Sequence, residues 1–232
     1  MTGRIDVVVP AHDEEDRLAA CLDALRTATS RLAAERPDVS VGVTVVLDGC
    51  TDGSAAIARS HGVAVIETPH VGVGRARSLG VAHAVRVAGD PDAVTHWLAH
   101  TDADSRVDAS WLVQQADALA RGAHVLVGAV VPDPDDLDPV VLARWTTAHP
   151  PGAALGHVHG ANLGVLAAAY RVLGGFDPVP EHEDVRLVER ARALGLRVDA
   201  TIEAPVVTSG RFAGRTPGGY AEHLRQTYGD AS

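Results

Sequence analysis

Trp97-Leu98-Ala99-His100-Thr101-Asp102-Ala103-Asp104-Ser105 is a short apolar run that ends in two carboxylates one residue apart. In extended backbone, residues i and i+2 project to the same side, so Asp102 and Asp104 can converge on one ligand, whereas on a helix they diverge. The spacing therefore belongs at the end of a strand. Two hard oxygen donors there suit a hexacoordinate cation such as Mg2+ or Mn2+, which completes its shell with phosphate oxygens. A solvated acidic turn ahead of a helix begun near Asp108 is the plainer reading of the same letters.

The segments upstream have the texture that such a strand end needs. Ile5-Asp6-Val7-Val8-Val9-Pro10 reads as a buried parallel strand stopped by proline, and Val41–Leu47 as a second, ending in Asp48 and Gly49. Val63–Ile66 is a third. Between the first two, Leu18, Leu22, Leu25 and Leu32 fall close to one helical stripe, with Asp13 as its N-cap and the following acids suited to the helix dipole. Thr51 or Asp52 can cap a further short helix, through about His61. Asp48 sits instead at a carboxyl end, where open parallel sheets place their ligands. Val71-Gly72-Val73-Gly74-Arg75-Ala76-Arg77-Ser78 runs into another helix, and Arg75 or Arg77 could meet a diphosphate or simply face solvent. It lacks the third glycine of a dinucleotide fingerprint. After Asp104, Ser110–Arg121 reads as a helix and His124–Val131 as a strand. Strands alternating with helices predict an α/β fold on a mostly parallel sheet.

Beyond Val131 the texture changes. Pro132-Asp133-Pro134-Asp135-Asp136-Leu137-Asp138-Pro139 reads as a connector without regular structure. Gly156–Val165 alternates glycine and small residues, as in a strand pressed against something, with Asn162 available to hydrogen-bond it. Its His157 and His159 invite a metal reading, although an imidazole pair on a loop is more often structural. Glu183 and Asp184 fall in the first turn of a helix whose core stripe is Leu187, Val188, Ala191 and Leu194. Either they complement the helix dipole or one acts as a general base. Thr208–Tyr220 is Gly-rich with Arg211 and Arg215, a flap over an anionic ligand or a loose tail.

Composition narrows the functions. The 232 residues are 46% apolar, with 30 acidic residues against 20 arginines and no lysine, for a net charge of -10. That field repels nucleic acid and anionic membranes, and an anionic substrate requires a local cation. The missing lysine excludes Schiff-base chemistry and a P-loop. Cys21 and Cys50 fit no metal spacing or disulfide framework. No secretory leader and no run approaching roughly 18 apolar residues occurs, so a cytoplasmic protein with no transmembrane segment is expected.

Four pieces occur in a familiar order: VVVPAHDEE, VVLDGCTDGS, THWLAHTDADS, and HGANLGVL followed by LGGFDPVPEHEDVRL. In these the chain resembles the family 2 glycosyltransferases of the GT-A fold, a Rossmann-like sheet flanked by helices in a single domain over 1–232. The resemblance implies a nucleotide-sugar part in 1–131, an acceptor-side part in 132–208, and a C-terminal flap or tail in 209–232. It implies that Pro10, Ala11, His12, Glu14 and Asp48 hold the base and ribose, and that Arg77 lies near the diphosphate. Asp102, Ala103 and Asp104 would form the D-x-D that binds the donor through Mn2+ or Mg2+. Asp184 would be the catalytic base beside Glu183, and Gly160, Ala161 and Asn162 would line the donor sugar and acceptor side. The expected reaction moves a sugar from a nucleoside-diphosphate sugar, a UDP-sugar first, to a small-molecule or lipid-linked acceptor, with inversion and in single transfers.

Asp13 stands where asparagine is usual and Gly49 where a second acid is common, and the Q-x-x-R-W of processive synthases is absent. A retaining glycosyltransferase of the same fold is the near alternative, with His157, His159 or His223 as a third metal ligand. A nucleotidyltransferase would need a basic Gly-rich loop where PAHDEE stands. A non-catalytic nucleotide-sugar-binding relative would not need both acidic sites.

Overall fold

The computed structural model describes residues 3–89, 95–150, 152, 155–179, 181–211 and 220–228, the last stretch with side chains from residue 224 onward. Its elements run β1 (Gly3–Ala11), α1 (Leu18–Glu35), β2 (Val39–Asp48), α2 (Ser54–Ser60), β3 (Ala64–Thr68) and α3 (Val73–Ala88). Then come β4 (His96–His100), β5 (Ser105–Arg106), α4 (Trp111–Ala120), β6 (Val125–Pro132), α5 (Pro139–Ala148) and β7 (Leu163–Leu166). The last are α6 (Ala167–Val172), α7 (Glu183–Ala193), β8 (Val198–Thr208) and α8 (Tyr220–Tyr228).

Among the described residues, eight strands join one mixed sheet in the order β3-β2-β1-β4-β7-β6-β8-β5. β1 runs parallel to β2 and β4, β2 to β3, and β6 to β8; β7 is antiparallel to β4 and β6, and β5 to β8. The chain winds outward from β1 to β3, then returns to lay β4 on the other side of β1. A crevice opens at that reversal, outside the carboxyl ends of β1, β2 and β4.

The side-chain period of two assigns each strand residue to a layer. Ile5, Val7, Val9, Val45, Leu47, Trp97 and Ala99 face α1, α2 and α4, while Val8, Val46 and Leu98 face α3 and α6. On the second face the layer continues through Val125, Val127, Leu163 and Val165 to Leu187, Val188 and Ala191 of α7. The leucine stripe of α1 is buried as its spacing predicts.

Several local expectations change. Asp13 does not cap α1, which begins at Leu18 after a turn and has no side-chain cap. Asp13 takes a left-handed φ of 50° and turns its carboxylate onto the next loop, accepting from the Thr51 and Asp52 amides at 2.7 and 3.3 Å. The β1 run carries a buried charge: Asp6 is 2% exposed and bonds Arg4 at 2.6 and 2.8 Å and His96 Nε2 at 2.8 Å. Burial alone would raise the Asp6 pKa, but the hydrogen bonds and charges of His96 and Arg4 outweigh it and hold it below the usual value. The acidic connector is partly regular, with a 3₁₀ turn at Pro134–Asp136. α5 starts at Pro139, which needs no donor at a first helical position, and Asp138 caps it by accepting from Val140 N at 2.8 Å. β8 was hidden by a register shift against Gly128/Val130 that breaks its alternation.

Candidate active site

Three strand ends build the crevice. The loops after β1 and β2 are laced together: Glu14 N donates to Ser54 Oγ at 2.9 Å, Glu15 N to Asp52 Oδ2 at 2.9 Å, and Gly53 N to Glu15 Oε2 at 2.7 Å. Pro10 and Ala11 end β1 in register with Val46 and Leu47. His12 donates from Nδ1 to the Asp48 carbonyl at 2.6 Å, and its ring lies 4.4 Å from that of His70. Asp48 itself is 4% exposed, and its two oxygens accept from Val71 N at 2.6 Å and Gly72 N at 3.0 Å. Its carboxylate thus shapes the turn into α3.

β4 delivers Asp102 and Asp104 at its carboxyl end, with Ala103 buried between them and Cys21 Sγ beneath, 3.4 Å from the Asp102 carbonyl. The two carboxylates have different surroundings. Asp102 is 36% exposed and accepts from Arg77 Nη2 at 2.5 Å. Asp104 is 17% exposed, lies 3.0 Å from Arg211 Nη2, and accepts from Thr208 Oγ1 at 3.5 Å. Burial and the neighbouring charge of Asp102 push Asp104 up to about 6, against the pull of Arg211.

Arg77 lies under this pair, 2% exposed. Its Nε donates to Glu183 Oε1 at 3.1 Å while Nη2 holds Asp102, so one guanidinium joins the D-x-D to the first turn of α7. Nη1 is buried and without a hydrogen-bond partner among the described residues. A Cβ at Gly160 would overlap the Arg77 fork, so only glycine lets the backbone pass this close. Glu183 is 4% exposed, and burial holds it above the usual carboxylate range, with Arg77 pulling it down and Asp184 adding to the rise. Asp184 is only half-buried, and it accepts from Gly160 N at 2.5 Å through Oδ2 and from Val185 N at 2.7 Å through Oδ1. Beside Arg77, His100 is fully buried with neither ring nitrogen bonded among the described residues, edge-on to Phe176 at 5.0 Å. Burial first and Arg77 second hold its pKa well below the usual value, so it is neutral.

The structure thus gathers Glu14, Asp102, Asp104, Glu183, Asp184 and Gly160 around the crevice. Arg77 is buried beneath it. Asn162 is 2% exposed and staples the core, accepting from Trp111 Nε1 at 2.8 Å and donating to the Ala129 carbonyl at 2.8 Å, in space that Gly128 leaves free. Among the described residues, three possible metal-ligand atoms within 4.8 Å of one another occur at Asp13, Cys50 and Asp52, away from the D-x-D. Cys50 lies in that set despite its uninformative spacing. Asp13 and Asp52 there already bind loop amides, which accounts for their proximity. His157 is exposed; Arg215 and the side chain of His223 lie outside the described residues.

Sequence reasoning missed the position of Arg211. It follows β8 directly and grips Glu14 through Nη1 at 3.0 Å and Nη2 at 2.5 Å while touching Asp104. A signal existed in the Ser-Gly-Arg after a β-branched run, but β8 had to be recognised before it could be placed.

Comparison with known proteins agrees with this architecture. Residues 6–173 match the family model described as glycosyl transferase family 2, a stretch that contains the D-x-D and ends before Glu183. No curated protein matches the chain in sequence. Among solved structures, the mannosyltransferase PcManGT from Pyrobaculum calidifontis, in complex with GDP-Man and Mn2+, is similar with a TM-score of 0.67 and 18% identity over 93% of this chain and 59% of that one. S. aureus TarS in complex with UDP gives 0.57 and 14% over 90% and 58%. Glucosyl-3-phosphoglycerate synthase from Mycobacterium tuberculosis, with Mn2+, UDP and glucosyl-3-phosphoglycerate, gives 0.58 and 16% over 90% and 73%. The chain therefore spans less than two thirds of the first two, and at these identities the likeness is one of fold. No helix of the described residues is long and apolar enough to cross a membrane.

Proposed function

The chain belongs to glycosyl transferase family 2, and from that membership we propose that it moves a sugar from a nucleoside-diphosphate sugar to an acceptor hydroxyl at the crevice beside β4. The observation that carries this reading is the Arg77 bridge, which ties Asp102 to the start of α7 and so presents two acidic sites to one crevice.

The donor set fits a hard divalent cation. Two carboxylates stand one residue apart at a strand end, and a guanidinium already lies against Asp104 and Glu14, where positive charge is wanted. Asp102 and Asp104 would hold Mn2+ or Mg2+, which when bound neutralises the charge of a leaving diphosphate. Asp184 takes the proton from the acceptor hydroxyl as that oxygen attacks the anomeric carbon, with inversion. The Gly160 amide fixes the carboxylate that does this, and buried Glu183 fixes Arg77. Pro10, Ala11 and His12 border the place for the base, with a UDP-sugar as the first donor to try.

One observation favours the retaining alternative. Both Asp184 oxygens already accept backbone N–H bonds, which ties the carboxylate to Gly160 and to its own helix and not to an acceptor hydroxyl. In that case the donor phosphate, not Asp184, assists the acceptor. The anomeric configuration of the product, read by NMR, separates the two. The test of the whole reading is a pair of variants: Asp184→Asn keeps nucleotide binding and loses orders of magnitude in turnover, and Asp104→Asn loses metal-dependent binding. Unchanged turnover in both overturns it.

A further inference from the structure

Arg211 lies outside the stretch that matches the family model, yet it is the cation placed against Asp104. Its fork is bidentate on Glu14, which is 7% exposed, and the Arg211 side chain as a whole is 25% open to solvent. The backbone that carries it is fixed. Gly210 N donates to Asp136 Oδ2 at 2.9 Å, Ser209 Oγ to the same oxygen at 3.1 Å, and Arg17 Nη2 holds the other oxygen at 2.9 Å. The side chain is then the part that can move, pivoting about an anchored Cα.

With Nη2 at 3.0 Å from Asp104 Oδ2, the guanidinium stands where a divalent ion would approach that oxygen, at about 2.0 to 2.6 Å. Two cations cannot share the position, so an entering ion must displace Arg211. A lone ion gains little from the exchange, since it trades one cation on the carboxylates for another. A diphosphate arriving with the ion changes the balance, because its oxygens offer the displaced fork a planar, bidentate partner.

We propose that Arg211 is a donor-phosphate ligand that stands in for the cation in the free protein. It holds Asp104 and Glu14 until nucleotide and metal bind together, then moves onto the diphosphate. The inference rests on the donor site proposed above and adds to it an order of binding.

The test uses the full chain, Arg211→Gln, Arg211→Lys and the double variant Arg211→Gln/Asp104→Asn, with circular dichroism to check folding. Mn2+ alone and then UDP or GDP at saturating Mn2+ are titrated by calorimetry. Arg211→Gln binds Mn2+ alone at least about tenfold more tightly than the parent, and binds the diphosphate at least about tenfold more weakly, the size of one charge-assisted contact. Arg211→Lys keeps the charge but not the fork, so it resembles the parent toward Mn2+ alone and the glutamine variant toward nucleotide. The double variant loses the Mn2+ gain. Equal Mn2+ affinity in parent and Arg211→Gln, with binding still lost in the double variant, overturns the role of Arg211 and leaves the donor site standing. Absence of Mn2+ binding in every protein, with and without nucleotide, overturns the donor site and this inference with it.

Discussion

Replacing Arg77 by methionine isolates what the guanidinium does, because the apolar stem is kept and the charge removed. Glu183 is left 4% exposed with its cation gone, while Asp102, 36% exposed, is screened by water and loses little. Removing one partner of a buried pair costs roughly 3–5 kcal/mol, and the lower end applies because Glu183 can take a proton. For a chain of 232 residues, roughly 3 kcal/mol lowers Tm by about 6–12 °C. The pH dependence gives the sharper test. Glu183 already sits above its ordinary 4.5, and losing Arg77 raises it further, so the native state holds more protons than the unfolded one. Stability of the variant therefore falls as pH rises from the ordinary carboxylate value toward the raised one, and the gap from the parent is smaller at mildly acidic than at mildly alkaline pH. Arg77→Met/Glu183→Gln removes the stranded charge and recovers most of the loss. Urea denaturation of the parent, Arg77→Met, Glu183→Gln and the double variant at mildly acidic and mildly alkaline pH measures this. A loss below about 1 kcal/mol that is flat in pH and additive in the double variant would show that Arg77 does not support Glu183, and would return it to the role of a diphosphate ligand.

Other outcomes follow from the same geometry. Gly160→Ala pushes a methyl into the Arg77 fork and is expected to cost roughly 1–3 kcal/mol and most of the turnover, read by denaturation and product formation. Asp6→Asn is expected to cost roughly 1.5–3 kcal/mol at neutral pH. Because the folded Asp6 pKa is depressed below 3.8, that contribution is present above the ordinary value and is lost as pH falls through the folded one, so the parent and variant melting curves converge in acid. A panel of nucleoside diphosphates with Mn2+ or Mg2+ is expected to raise stability by about 2.7 kcal/mol at a hundred times the dissociation constant, and chelator is expected to abolish the gain. Stabilisation that survives chelator would remove the metal from the site.

The parts of the fold legible in the sequence were those where one physical signal dominated. β1, β2 and β4 are continuous apolar runs because both faces of a central parallel strand are covered, and α1 shows its stripe because one face alone packs. Asp102, Asp104, Glu183 and Asp184 stood out because each pair falls at an element end, where a ligand site, an acidic turn and a helix dipole all place carboxylates. Which way a side chain turns was not legible. Asn162 and Asp48 are the kind of polar residue that binds ligands, yet their hydrogen bonds go to Trp111, Ala129, Val71 and Gly72, partners far apart in the chain. β8 was hidden because a register shift and its half-exposed positions erase the period of two.

The site can be described as two triplets of alternating charge that meet at the D-x-D: Glu14, Arg211 and Asp104 on one side, Asp102, Arg77 and Glu183 on the other. If the carboxylates of this chain, which has ten more acids than arginines, take a cation as proposed, they have to be kept from repelling one another while the cation is away. Both arginines do this, but under different constraints. Arg77 is 2% exposed and walled in by Gly160, so it has nowhere to go and serves as a fixed brace. Arg211 is 25% exposed on a backbone hydrogen-bonded to Asp136, which leaves room for the exchange of contacts proposed for it. If burial decides the role, moving the charge balance at Arg77 should change stability far more than nucleotide affinity, and at Arg211 the reverse.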